Sequence, residues 1–137
     1  MCGIAGFIEN PQKFNARKAV EVVRCMTKEI RHRGPDTEGI WTDGSCVAMA
    51  HRRLSIIDLS CAGNQPMIST NDRYVIVFNG EIYNHNELRN QLNYYSWRGH
   101  SDTETLLAAT EAWGIREALR RSEGMFALAI WLSLIHI

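Results

Sequence analysis

Met1-Cys2-Gly3-Ile4-Ala5-Gly6-Phe7-Ile8 opens the chain, and Glu9-Asn10-Pro11 closes that apolar run. Ile4, Phe7 and Ile8 interleaved with small residues predict a buried strand over residues 3–8, so the chain starts inside its fold. Working outward, Asn15 is placed to cap a helix. Its apolar positions Ala19, Val22, Val23, Met26 and Ile30 recur at three- and four-residue steps and predict one core-facing stripe ending before Gly34-Pro35. Residues 46–50 and 74–78 read as uncharged, buried strands joined by turn-rich connections such as Ala62-Gly63-Asn64-Gln65-Pro66. A short helix starts at Asn86 and runs through Leu88 and Leu92. Ser101 with Glu104 forms a capping box for a helix to Trp113, and Gly114 is its stop. A helical piece, Ile115 to Arg121, then leads to Met125–Trp131, which reads as a central strand. Strands mixed with helices, with no repeat and no linker, predict an α+β layered fold around one core.

The 137 residues are enough for one domain, and 45% hydrophobic with 22% charged residues is a globular composition. Fifteen basic residues balance 15 acidic ones, which removes the electrostatic footprint of a nucleic-acid or anionic-membrane binder. Arg52-Arg53 and Arg120-Arg121 are pairs, too short for a basic stripe. The first residues lack a signal peptide's basic region, and the longest apolar stretch, Met125 to Ile135, falls short of the roughly 18–20 residues that cross a bilayer. A cytoplasmic location is expected. Cys2, Cys25, Cys46 and Cys61 contain no C-x-x-C clip, and a cytosolic setting favours free thiols over disulfides. His32, His51, His85 and His100 show no metal-ligand spacing and read as structural or loop residues, so no metal is expected.

Cys2 carries the first candidate chemistry. Loss of Met1 would leave a thiol and a free α-amine on one residue, a nucleophile with its own base. An α-amine titrates near ~7.7–8.0 and a cysteine near ~8.5, so the amine is neutral often enough to take the thiol proton, directly or through water. A small buried residue near a chain end would look the same from that position alone. Asn79-Gly80 is similarly two-sided. After an apolar strand it signals a hairpin turn, yet an amide side chain and a backbone N–H at one tight turn can also face a single developing oxyanion.

Further motifs follow Met1-Cys2-Gly3-Ile4-Ala5-Gly6 in order: Arg31-His32-Arg33-Gly34-Pro35-Asp36, His51-Arg52-Arg53-Leu54-Ser55-Ile56-Ile57-Asp58, Asn79-Gly80-Glu81-Ile82-Tyr83-Asn84 and Gly99-His100-Ser101-Asp102-Thr103-Glu104. From Cys2 to Trp131 this series resembles the class II glutamine amidotransferases and, more narrowly, the glutaminase domain of glutamine-hydrolysing asparagine synthetases. The resemblance implies an N-terminal nucleophile hydrolase fold, a four-layer αββα sandwich with two antiparallel sheets between helical layers. It also implies that Cys2 attacks the side-chain amide of L-glutamine, giving ammonia and a glutamyl thioester that water converts to glutamate. Asn79 and Gly80 would hold the oxyanion. Arg53, helped by backbone groups around Leu54, Ser55, Ile56 and Ile57, would take the α-carboxylate, for which its planar fork is suited. Asp102, with Glu81 as helper, would take the α-ammonium, although an aspartate in a first helical turn also complements the helix dipole. Arg52 is expected at the surface. The Arg31–Asp36 segment fits a mobile loop closing over glutamine and equally a plain helix-ending loop.

Whole enzymes of the resembled family add a C-terminal domain that activates aspartate with ATP and Mg and receives the ammonia. The expected organisation is therefore a partial, C-terminally incomplete amidotransferase domain over residues 2–131, with no cofactor of its own and a synthetase domain normally in the same chain. Leu132-Ser133-Leu134-Ile135-His136-Ile137 departs from the family pattern and is expected to be a non-native tail, since it matches a translated sequencing-adapter end. Glutamine and the synthetase domain are the expected partners, a homodimer is left open, and neither nucleic acid nor membrane is expected. Two alternatives stand beside this reading. One is an amidotransferase domain for another acceptor, such as a sugar phosphate, purine precursor or polysaccharide unit; the other is a catalytically silent scaffold.

Overall fold

Alternation along Val47-Ala48-Met49-Ala50 sets the layers of the molecule. The computed structural model describes residues 2–133. Its elements in chain order are β1 (Gly3–Ile8), α1 (Ala16–Glu29), β2 (Thr37–Thr42), β3 (Val47–Arg53), β4 (Met67–Ile68), β5 (Tyr74–Ile82), α2 (His85–Gln91), α3 (Asp102–Trp113), α4 (Ile115–Arg121) and β6 (Gly124–Leu132). The strands form two antiparallel three-stranded sheets, ordered β1-β3-β2 and β4-β5-β6.

Ala48 and Ala50 face Ala19 and Val23 of α1, with Phe7, Phe14 and Ile40 around them. Val47 and Met49 point the other way, against Val75 and Val77 of the second sheet. On β5 the alternate residues Ile76, Phe78 and Ile82 pack under Leu88, Leu106 and Leu107. The stack is helix, sheet, sheet, helix, the expected αββα sandwich. Nine consecutive residues of α3, Asp102 to Thr110, are buried because the helix lies between the sheet and its helical neighbours.

Most sequence expectations for local structure hold. Asn15 accepts a hydrogen bond from Lys18 N–H and caps α1, and Ser101 does the same for Glu104 N–H at α3. All four cysteines are free. The α1 stripe is corrected. Val22 and Met26 are 41% and 36% exposed, while Thr27 is buried, its hydroxyl donating to Arg24 O and to Glu38. The helix thus turns a narrower face inward than its apolar residues suggest. β2 and β4 have no counterpart in the sequence reading.

The largest correction falls on Asn79-Gly80. These residues do not follow a strand at a turn: β5 runs through them to Ile82, with Asn79 opposite Ala127 and Gly80 opposite Phe126. Gly80 is required by that pairing, since a Cβ there would collide with Met125 O and Phe126. β6, expected in the middle of a sheet, forms its outer strand among the described residues. Leu132, assigned to the tail, continues β6 opposite Tyr74, and Ser133 N–H donates to Arg73 O at 2.8 Å. The rest of the tail lies outside the described residues.

Candidate active site

A cavity of about 290 Å³ opens where the ends of both sheets meet the start of α3. Its wall includes Cys2, Arg53, Leu54, Ser55, Ile56, Ile57, Asn79, Gly80, Glu81 and Asp102, so every site residue expected from the sequence lines one space. That volume is at the small end of ligand pockets, which run from ~300 to 1,000 Å³.

Cys2 sits beside the first residue of β1, half-buried. Its Sγ donates to Leu54 O at 3.6 Å and accepts from Leu54 N–H at 3.4 Å, so the segment after β3 holds the thiol. Arg33 Nε donates to Cys2 O at 3.0 Å. The Arg31–Asp36 segment is hydrogen-bonded to β3 and the residues after it: Arg52 Nε donates to Gly34 O at 2.9 Å, Asp36 N–H to Arg53 O at 3.0 Å, and Ser55 N–H to Asp36 Oδ2 at 2.7 Å. Arg52 is therefore buried, not the surface residue expected, because its side chain ties this segment to β3.

Backbone N–H groups along a strand point alternately to its two edges. Tyr74 and Ile76 of β5 face β4, so Phe78, Gly80 and Ile82 face the same edge. β4 starts only at Met67, opposite Ile76, and leaves that edge without a strand partner beyond it. Side chains take over. Gln65 Oε1 accepts from Phe78 N–H at 2.6 Å and Asp102 Oδ2 from Ile82 N–H at 3.0 Å. Between them the Gly80 N–H faces the cavity. Asn79 also lines it, and its Oδ1 is buried with no hydrogen-bond partner among the described residues. A buried amide oxygen left unpaired is costly and sets Asn79 apart from the paired residues around it.

Arg53 is buried, and its guanidinium is largely engaged. Nη1 donates to Ser60 O at 2.7 Å and Asn64 Oδ1 at 2.8 Å, and Nη2 to Asp58 O. Nε–H and the second Nη2 proton have no partner among the described residues, leaving one edge of the fork free. Asp102 is buried too, and burial raises its pKa above the ordinary carboxylate value against the opposing hydrogen bonds from Ile82 and Thr103 N–H. Glu81 is exposed at the rim, as are Ile56 and Ile57.

Sequence reasoning passed over Asp58 and Gln65, which also line the cavity. Asp58 accepts from Ser60 N–H, Ser60 Oγ and His100 N–H at 2.8, 2.6 and 2.7 Å. Burial by itself would raise its pKa, yet these donors and the Arg53 charge together bring it down to about 2. The signal was available: Asp58 closes the motif that begins at His51. Behind the site, fully buried Glu104 accepts from Arg98 N–H and Gly99 N–H at 2.7 and 2.9 Å and fixes the loop entering α3.

The sequence matches the glutamine amidotransferase domain family over residues 1–134. This chain belongs to that family. It is 41% identical over 133 residues to asparagine synthetase [glutamine-hydrolyzing] 1 of Bacillus subtilis, covering 96% of this chain and 21% of the relative. Asparagine synthetase B [glutamine-hydrolyzing] of Escherichia coli is 40% identical, with 96% and 23% covered. Amidase chry2 of Gibberella zeae is 36% identical, with 96% and 21% covered. This chain thus spans about a fifth of the length of these relatives. Among solved structures, the glutamine phosphoribosylpyrophosphate amidotransferase of B. subtilis superposes with a TM-score of 0.71 at 21% identity over 96% of this chain and 34% of that one. That likeness establishes the N-terminal nucleophile hydrolase sandwich and nothing finer. No helix among the described residues is long and apolar enough to cross a membrane.

Proposed function

We propose that this amidotransferase domain hydrolyses L-glutamine through Cys2 and that the ammonia serves amidation of aspartate by a synthetase domain. The observation that carries the reading is the meeting, in one amino-acid-sized cavity, of the Cys2 thiol with the open edge of β5 at Asn79 and Gly80. The thiol loses its proton to the α-amine freed when Met1 is removed, and sulfur attacks the amide carbon. The oxyanion that forms is held by Asn79 Nδ2 and Gly80 N–H. As the C–N bond breaks, the ammonium donor returns the proton to the leaving nitrogen, and ammonia departs. Water then attacks the thioester through the same oxyanion site and releases glutamate and the thiol.

Arg53 offers its free edge to the α-carboxylate, and Asp102, with Glu81 nearer solvent, offers carboxylate oxygen to the α-ammonium. Leu54 and Ser55 contribute less than the sequence suggests, because their N–H groups already bind Cys2 Sγ and Asp36. ATP and Mg belong to the synthetase part. Among the described residues no group of three or more His, Cys, Asp or Glu side chains is placed to hold a metal. The two asparagine synthetases, at 41% and 40% identity, favour aspartate over a sugar or purine acceptor. A domain boundary at residue 131 would place it inside β6, so the boundary proposed here lies beyond Leu132. The test is glutamate release from glutamine, with aspartate-dependent asparagine formation assayed in the protein as its gene encodes it.

A further inference from the structure

Gln65 stands where the β4–β5 ladder would continue opposite Phe78, but the backbone pairing begins only at Met67. The side chain substitutes for it. Gln65 is buried, with Oε1 accepting from Phe78 N–H at 2.6 Å and Nε2 donating to Thr103 Oγ1 at 3.1 Å. From β3 of the other sheet, buried His51 binds Phe78 O at 3.0 Å through Nε2. Both polar groups of Phe78 are therefore held by side chains immediately before Asn79 and Gly80. Gly39 keeps this possible, since a Cβ there would overlap Gln65 O.

We infer that Gln65 is a positioning residue for glutamine hydrolysis, setting the oxyanion donors of β5 against the α3 start that carries Asp102. The inference deepens the glutaminase reading and rests on it. Gln65 joins the two ends of the cavity: Phe78 leads into Asn79-Gly80, and Thr103 adjoins Asp102. An amide suits the task because one side chain must accept at one end and donate at the other. Replacing it by an apolar residue leaves Phe78 N–H and Thr103 Oγ1 without their partner and lets the unsupported edge of β5 shift. A displacement well under 1 Å weakens hydrogen bonds to a developing oxyanion more than it weakens binding of the ground state.

The experiment compares the parent with Gln65→Leu and Thr103→Val in the protein as its gene encodes it. Readouts are kcat and KM for glutamine and the rate of Cys2 alkylation by iodoacetamide. Gln65→Leu is expected to lower kcat by about tenfold to a hundredfold while KM and alkylation stay within about threefold. Thr103→Val removes only the far anchor and is expected to lower kcat by a smaller factor in the same pattern, which covers the case where Gln65→Leu does not fold. Unchanged kcat in the folded variants overturns the inference. So does a parallel fall of kcat, substrate binding and Cys2 alkylation, which marks a merely structural role. A parent lacking Cys2-dependent glutamate release overturns the glutaminase reading itself, a result separate from either of these.

Discussion

Asp58 Oδ2 accepts from the His100 backbone N–H at 2.7 Å, joining the loop that holds Arg53 to the loop that enters α3 at Asp102. One carboxylate therefore spans the two groups proposed to grip the α-carboxylate and α-ammonium of glutamine. Gly99 permits the approach, since a Cβ there would collide with Asp58 Oδ2.

Asp58→Asn is expected to disturb substrate grip more than chemistry. An amide cannot accept from Ser60 and His100 together without turning an N–H toward one of the donors. KM for glutamine should rise by about tenfold with kcat within about threefold, and urea denaturation should show a loss of about 1–3 kcal/mol. A variant with normal KM and lower kcat would place Asp58 with the reacting groups instead.

Arg53→Lys and Asn79→Ala should separate binding from turnover. Lysine keeps the charge but loses the planar fork, so Arg53→Lys should raise KM more than it lowers kcat. Asn79→Ala removes one oxyanion donor and should cost on the order of 10²–10³ in kcat with little change in KM. Steady-state kinetics with glutamine check both. An Asn79→Ala variant that changes KM alone would show that Asn79 only builds the strand.

His51 predicts an acid limb in the stability curve. Burial first, and the Arg53 charge after it, bring its pKa from 6.5 down to about 4, against the hydrogen bond to Phe78 O. The unfolded chain then binds the extra proton between those values, so the stabilisation is complete above about pH 6.5 and is lost as pH falls toward 4, by about 3 kcal/mol. Asp102, with its raised pKa, acts in the opposite sense but is common to parent and variant. His51→Gln should flatten this limb in urea titrations taken from pH 7 to 4. Equal slopes in parent and variant would mean that His51 charges freely in the folded state.

How much of this was legible from residues follows from where the determinants lie. The capping residues Asn15 and Ser101 act within their own helices, so their sequence signals survive folding. The site residues were found because each belongs to a short motif, and the fold brings those motifs to one cavity. Asn79-Gly80 was misread as a turn because its extended conformation is set by β6, whose Phe126 and Met125 pass where a Cβ would sit. Arg52 was misplaced, and the burial of Thr27 went unread, for a similar reason: both depend on partners, Gly34 and Glu38, distant in sequence. Gln65 looked like a turn residue because its two partners, Phe78 and Thr103, come together only across layers.

Cys2→Ser should retain little turnover, since a hydroxyl is far less acidic than a thiol and supplies less nucleophile near neutral pH. Mass spectrometry of active protein should find Met1 removed. Activity from protein shown to retain Met1 would contradict the α-amine as base.

The most direct measurement is glutamate release from L-glutamine by the parent beside four single cysteine variants. Cys2→Ala should abolish it, while Cys25→Ala, Cys46→Ala and Cys61→Ala should stay within about twofold of the parent, because the cavity wall includes Cys2 and none of the other three. Glutamate release that survives Cys2→Ala, or that falls equally when Cys61 is replaced, would contradict the account.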